Sequence, residues 1–157
     1  MNRQEYLLEM RKNHTLKGRK PCFIFLRFNT GKIYNDGYSE FIMSFKDGIL
    51  YFQKLSRFFK KLQPSMDFEL SAKRFKEYRY IDKSFMKILY LYDKDGRFIE
   101  ICFQIGKAEY SSTITNIERI IEEMCSNYGL KPFKEEIIED EEGTDSKGEG
   151  SNQEVRN

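Results

Sequence analysis

The residue types that most often do chemistry are few in this chain, and they stand apart from one another. His14 is the single histidine, and it lies in a basic segment, residues 11–20, that contains no acid. A general base needs an orienting partner and a pocket around the reacting group. We therefore predict that His14 is an ordinary surface residue.

Two short glycine-containing segments imitate ligand-binding loops but lack residues that those loops need. Gly31-Lys32 fits the end of a phosphate-binding loop, yet Leu26 and Ile33 occupy the positions that require Gly and Ser or Thr. Residues 93–96 (DKDG) fit the start of a calcium loop, but its twelfth position is Gln104 instead of a bidentate Glu. Both segments are predicted to be turns.

The candidate catalytic carboxylates lie on one side of a predicted helix. Glu118, Glu122 and Glu123 fall on its polar face, where we expect them to be solvated and to pair with Arg119 or other nearby bases. No Gly-x-Ser-x-Gly motif or Cys–His pair supports acyl transfer. We therefore predict that the protein is not an enzyme and that it holds no metal or cofactor.

The three cysteines, Cys22, Cys102 and Cys125, do not show the CxxC spacing of a redox or zinc site. Cys22 and Cys102 lie in apolar, strand-like runs and Cys125 lies in a predicted helix, so the three are predicted to be buried thiols in a reducing compartment. The first twenty residues are charged and do not resemble a signal peptide, and the longest apolar runs are far too short to span a membrane. We expect a cytoplasmic protein with no transmembrane segment.

Three stretches of the chain are rich in bases: residues 11–20, 54–61 and 73–80, of which the last two also contain aromatic residues. Bases can neutralise phosphates while rings stack on nucleobases or enter a lipid headgroup layer. The alternative is that Phe58, Phe59 and Phe75 fill the core and the bases only solvate its rim. The candidate anion-binding residues are Lys54, Arg57, Lys60, Lys61, Lys73, Arg74, Lys76 and Arg79, and the candidate aromatic contacts are Phe58, Phe59, Tyr78 and Tyr80.

Alternating apolar residues and turn signals predict a mostly antiparallel sheet. Residues 38–46 and 49–54 read as a hairpin joined by Asp47-Gly48, and residues 86–92 and 97–105 read as a second hairpin around residues 93–96. In the last strand Ile99, Ile101, Phe103 and Ile105 share one face. Further strands are predicted over 22–29, 67–71 and 75–81, the last as an edge strand, whereas residues 55–63 could be a short helix or a basic hairpin loop.

The apolar residues between Ile114 and Tyr128 repeat at three and four positions, which predicts one amphipathic helix. Thr113 or Thr115 can cap its start, and Gly129 with Pro132 is typical of a helix end. The sequence therefore predicts an α+β fold, in which this helix packs on the face of the last strand.

The stretch from residue 40 to residue 124 resembles bacterial PH-like (pleckstrin-homology-like) or GRAM-like domains. The resemblance is carried by the FIMSFKDGILYF and ILYLYDKDGRFIEICFQI hairpins, the DFELS strand and the closing NIERIIEEM helix. It implies six or seven antiparallel strands in a partly closed barrel, capped by the C-terminal helix and used for binding and scaffolding. The departure is the helix, which lacks the tryptophan that many such domains carry.

On this basis the chain is expected to have three parts: a basic segment over 1–20 that could contain a short helix, a PH-like domain over 21–133, and a disordered acidic tail over 134–157. The expected function is a non-catalytic binding or adaptor module for a protein partner or an anionic membrane surface. The alternative is a nucleic-acid-binding accessory protein that uses a basic, aromatic face. Edge charges around Tyr78 and Tyr80 could also serve strand addition by a partner, or prevent it.

The charge asymmetry generates a first prediction. Residues 135–157 carry nine acids and two bases, a charge of −7, whereas residues 1–134 carry 25 bases and 16 acids, a charge of +9. If the tail shields the basic body, removing residues 135–157 tightens the binding of a polyanion such as heparin at low salt. Titration of the full and shortened chains at matched salt checks this, and equal affinities would contradict the shielding.

Overall fold

The computed structural model describes residues 3–29, 39–55, 62, 64–107 and 110–134. These residues form one eight-stranded sheet with the strand order β4-β3-β2-β1-β7-β6-β5-β8 and two helices. The elements are α1 (Arg3–Lys12), β1 (Arg19–Asn29), β2 (Ser39–Lys46), β3 (Ile49–Lys54), β4 (Phe68–Ser71), β5 (Phe75–Asp82), β6 (Met86–Asp93), β7 (Phe98–Gln104), α2 (Ser111–Tyr128) and β8 (Lys131–Pro132).

The α+β class is confirmed, but the predicted count of six or seven strands is too low. Every strand pair is antiparallel except β5 with β8, where Lys131 and Pro132 run parallel to Glu77 and Tyr78. Two residues give no periodicity, so β8 could not be read from the sequence. Among the described residues no strand pairing joins β4 to β5 or β8, so the pairing describes an open sheet rather than a closed barrel.

Both predicted hairpins form with the predicted turns. Lys46 pairs with Ile49 across Asp47 and Gly48, which have φ angles of 51° and 79°. Positive φ at both central positions gives a turn that follows the twist of the strands, and Asp-Gly tolerates it best. The β6–β7 hairpin closes around Gly96, which has a φ of 81°. These two turns set the register of the strands that they join.

The 3₁₀ turn Ala72–Arg74 carries the chain from β4 to β5. Its first N–H, that of Ala72, donates to the carbonyl of Gly48 at 2.8 Å. An antiparallel bridge joins Leu55 to Leu62, which agrees at these two residues with the hairpin alternative rather than with the helix. Residues 56–61 and 63 lie outside the described residues.

The core lies between the inner face of the sheet and α2. Ile99, Ile101 and Phe103 of β7 are buried with Ile117 and Met124 of α2, among others, so the predicted packing of the helix on this strand face is confirmed. The predicted caps are wrong, because Thr113 and Thr115 lie inside the helix and its first residue follows Tyr110. Gly129 ends the helix in the left-handed conformation, as predicted, and its N–H donates to the carbonyl of Met124.

A second, smaller core lies on the outer face of the sheet under α1. Leu7 and Met10 of that helix are buried with Phe23 of β1, Ile42 of β2 and other residues. The Nε of Arg3 donates to Glu40 Oε2 at 2.6 Å, and its guanidinium lies 5.0 Å from the ring centre of Tyr110. The helix in the basic N-terminal segment is therefore packed against the strands.

Gly48 and Gly96 provide a matched test of how tightly α2 packs on the β2–β3 turn. An added Cβ at Gly48 would lie 2.7 Å from Tyr128 Cε1, whereas nothing lies within 4 Å of one at Gly96. Both residues have positive φ, so alanine at either is strained by about 1 kcal/mol. We expect Gly96→Ala to lower the free energy of unfolding by about that amount and Gly48→Ala by about 2–4 kcal/mol, because overpacking adds to the strain. Urea denaturation measures both free energies. Equal losses of stability in the two variants would mean that the Tyr128 ring moves aside at no cost.

Candidate functional site

A small cleft opens where the β4–β5 connection meets the β6–β7 turn. Its volume is about 100 Å³. Its lining comes from five strands and two connections and comprises Phe28, Leu70, Arg74, Phe75, Asp93, Arg97, Phe98 and Ile99. Drug-sized ligands usually occupy clefts of about 300–1,000 Å³, so this cleft fits a single anionic group or one side chain.

Two exposed arginines stand at this cleft over an aromatic floor. Arg74 belongs to the 3₁₀ turn before β5, and Arg97 follows the β6–β7 turn. Phe75 beside Arg74 is fully buried, which confirms the core alternative for that ring. Phe28 and Phe98 are half-buried in the lining. The arrangement offers planar, permanently charged donors next to apolar surface.

Asp93, the carboxylate in the cleft lining, shapes the β6–β7 turn. Its Oδ1 accepts hydrogen bonds from the backbone N–H of Asp95 at 2.8 Å and of Arg97 at 3.0 Å. The Asp93 N–H in turn donates to the Arg97 carbonyl at 2.8 Å. The segment predicted to be a turn, rather than a calcium loop, therefore holds Arg97 in place at the cleft.

The third basic stretch is positioned by its own local bonds. Ser71 Oγ accepts from the Lys73 N–H at 3.3 Å and starts the 3₁₀ turn that carries Lys73 and Arg74. The Nζ of Lys76 donates to the Lys73 carbonyl at 3.2 Å. All three bases are exposed, so positive charge extends outward from the cleft along this turn.

Of the other predicted anion-binding residues, Lys54 and Arg79 do not join this cluster. Lys54 lies on β3, where its Nζ donates to the Leu55 carbonyl at 2.7 Å and sits 5.7 Å from the ring centre of Phe41. The guanidinium of Arg79 lies 5.8 Å from the ring centre of Phe133, next to β8. Arg57, Phe58, Phe59, Lys60 and Lys61 lie outside the described residues.

The two predicted aromatic contacts on β5 face inward. Tyr78 and Tyr80 are half-buried, pack against the main core, and contact each other edge-to-face with ring centres 6.1 Å apart. Tyr78 also lies in the part of β5 that β8 covers. Their use by a partner stays a prediction, and β8 already takes the outer edge of β5 at Glu77 and Tyr78.

The sequence interpretation missed Arg97. It lies directly after the Asp93-to-Gly96 turn. The sequence indicated only that a residue next to a hairpin turn lies at the end of the sheet. Nothing in the sequence placed that residue beside Arg74, because the two are brought together by the tertiary path of β4 and β5.

The described residues contain no group of three or more His, Cys, Asp or Glu side chains that could hold a metal ion. His14 is exposed at the end of α1, and Glu123 pairs with Lys20 at 3.6 Å. Cys22 and Cys102 are buried thiols and Cys125 is half-buried. Burial raises the pKa of the Cys22 thiol, which keeps it protonated and unreactive. Gly31-Lys32 lies outside the described residues.

None of the helices in the described ranges is both long and apolar enough to cross a bilayer.

Comparison with known proteins yields a fold and no family. No family model matches the chain, and no curated protein matches it. Among solved structures, the chain is similar to the hSac2 domain from the human phosphoinositide phosphatase Sac2, with a TM-score of 0.50 and 9% identity. The match covers 94% of this chain and 98% of that domain. At this identity the similarity establishes a shared, mainly β architecture, and the PH-like, bacterial and GRAM-like parts of the resemblance stay predictions.

Tyr80 provides a test of the inward placement of the β5 aromatics. Within the described part of the chain, its buried hydroxyl has no hydrogen-bond partner. Burial, and secondly the charge of Glu118, raise the pKa of this hydroxyl above its ordinary value. The unfolded chain therefore loses this proton more readily than the native one, so Tyr80 lowers stability as the pH rises above about 10.

We expect Tyr80→Phe to be neutral or to stabilise the protein by up to about 2 kcal/mol at pH 8, because it removes an unpartnered polar group. The gain should grow above about pH 10. Tyr78→Phe, for which the same gain is not expected, is the control. Urea unfolding at pH 8 and above about pH 10 measures the stability of both variants. A loss of stability in Tyr80→Phe would show that the hydroxyl is hydrogen-bonded.

Proposed function

We propose that this chain is a non-catalytic, PH-like binding module that takes an acidic segment of a protein partner in the cleft between Arg74 and Arg97. The observation that carries the proposal is the cleft itself, in which two exposed arginines from different connections line one aromatic-floored opening. Carboxylate and phosphate groups are the anions that arginine binds best, through paired hydrogen bonds.

The strand order and the terminal helix support the PH-like part of the proposal. Seven antiparallel strands precede α2, and the helix packs against the inner sheet face, as the resemblance implies. The hSac2 domain shares this mainly β architecture. The fold alone carries no function, so the binding role rests on the chemistry of the cleft.

A protein segment suits the cleft better than an extended polyanion does. The cleft has room for one acidic side chain, and the exposed parts of the half-buried Phe28 and Phe98 rings can contact an apolar neighbour in the same segment, which is the composition of a peptide. A nucleic acid needs a track of cations, but Lys54, Arg79 and the Lys73–Lys76 group lie in separate places on the sheet. The structural neighbour belongs to a phosphoinositide phosphatase, so a phosphoinositide headgroup is the alternative occupant that the experiment must distinguish.

Charge reversal at the cleft tests this function. We expect the full chain to bind a short fluorescein-labelled peptide of alternating Glu and Phe, and binding to weaken as salt rises. Arg74→Glu and Arg97→Glu should each weaken it about tenfold or more, because a charged hydrogen bond is replaced by repulsion. Arg11→Glu, which makes the same charge change at an exposed position on α1, should leave the peptide affinity unchanged. Fluorescence anisotropy measures the affinities.

Two further arms identify the occupant. A peptide with Ser in place of Phe should bind more weakly if the aromatic floor takes part. Vesicles containing phosphoinositide should compete poorly with the peptide if the occupant is a protein. Strong competition that both arginine reversals abolish would assign the cleft to a lipid headgroup, and equal peptide binding by all variants would reject the cleft as the site.

A further inference from the structure

The β5–β6 turn exposes an aromatic ring. Phe85 is 79% exposed, compared with 65% for Leu8 and 56% for Met66, the other exposed large apolar side chains in the described residues. The turn is held in place, because the Lys83 N–H donates to the Met86 carbonyl at 2.9 Å and the Ile105 N–H donates to the Phe85 carbonyl at 3.1 Å. The backbone that carries the exposed ring is therefore held in place by hydrogen bonds on both sides of it.

Apolar and cationic side chains surround this ring. Met86 and Ile105 are half-buried on either side of the bonded turn, and Lys83 and Lys107 are exposed next to them. Lys87 lies one step further, 3.7 Å from Asp82 and 5.7 Å from the ring centre of Tyr80. Three lysines thus accompany one described carboxylate at this end of the hairpin.

We infer that this turn is a docking surface for an anionic lipid bilayer, with Phe85 inserted at the boundary between headgroups and acyl chains. A single ring on a convex turn offers no groove in which a folded protein partner could dock. A fluid lipid headgroup layer, in contrast, can close around a protruding ring. The lysines complement the charge of anionic lipids, and attraction per lysine near such a surface is enough to shift binding several-fold. Aromatic insertion adds apolar burial to that attraction.

This surface is separate from the arginine cleft. Phe85 precedes the first residue of β6, whereas Asp93 at the end of β6 lines the cleft. β6 covers seven residue steps from Met86 to Asp93, about 23 Å, so the Phe85 turn and the cleft lie at opposite ends of this strand. The lipid surface therefore does not require the cleft to bind anything, and the two can be tested independently.

The absence of tryptophan from the chain allows a sensitive test. Phe85→Trp places the single tryptophan at the tip, and Leu8→Trp places it at the next most exposed apolar position. With vesicles of equal parts phosphatidylcholine and phosphatidylserine, we expect the emission of Phe85→Trp to shift to shorter wavelength. We expect no shift with phosphatidylcholine alone, and none for Leu8→Trp with either. Equal shifts for both variants, or none for Phe85→Trp, would overturn the inference.

Flotation of the full chain with the same vesicles gives the affinities. Phe85→Ser should weaken binding to the anionic vesicles, and Lys83→Glu with Lys107→Glu should weaken it roughly tenfold or more. Leu8→Ser and the Arg74→Glu, Arg97→Glu pair should retain it. If Phe85→Ser binds as the unchanged chain does, or if only the arginine pair loses binding, the tip is not the lipid surface. A failure of the acidic peptide to bind rejects the cleft proposal alone.

Discussion

The structure depends on how β1 is paired along its two edges. β2 pairs with one edge from Arg19 to Leu26, but β7 pairs with the other only from Phe25 to Asn29. The helix α2 supplies the missing partners: Thr113 Oγ1 accepts from the Phe23 N–H at 3.1 Å, and Asn116 Nδ2 donates to the Pro21 carbonyl at 2.8 Å. Buried backbone groups are costly to leave unpaired, so these two bonds fix where the helix crosses the sheet. Once it is fixed there, its apolar stripe must meet the strand face that carries Ile99 and Ile101.

Local chemistry explains why much of this fold could be predicted. The Asp-Gly and Asp-Lys-Asp-Gly turns specify two hairpins by backbone conformation alone, and the period-two and period-3.6 patterns specify β7 and α2. The details that failed depend on distant residues. Thr113 satisfies the rule for a helix cap, but β1 takes its hydroxyl instead, so the capping rule gave the wrong start. β8 exists because Phe133 bonds to the Tyr78 carbonyl at 2.7 Å, and a bond of that range leaves no local pattern.

The same division separates what could and could not be predicted at the candidate sites. A basic stretch over residues 73–80 was visible in the sequence, but its members have different surroundings. Arg79 lies against Phe133 and Tyr80 turns inward, because alternate residues of β5 point to opposite faces of the sheet. Arg74 lines the cleft from the 3₁₀ turn that precedes this strand. Arg97 joined Arg74 only through the path of the chain between two distant strands. The run of bases in the sequence therefore predicted a positively charged surface. The position of each charge on that surface depends on the strand register and on the path of the chain.

The separation of the cleft from the Phe85 turn determines whether the proposed module can contact two partners at once. The hairpin β5–β6 is held on its second side by β7, with pairing from Met86–Gln104 to Tyr92–Phe98, so it cannot fold to bring both ends to one plane. A flat surface that contacts Phe85 must therefore leave Arg74 and Arg97 facing away from it, toward solution. In the proposed arrangement a lipid surface and an acidic protein segment do not compete for the same residues. Charge repulsion between the two anionic partners is also small, because the length of β6 between them, about 23 Å, exceeds the roughly 8 Å over which physiological salt screens charge. In this proposed arrangement the sheet is the rigid spacer between the two partners.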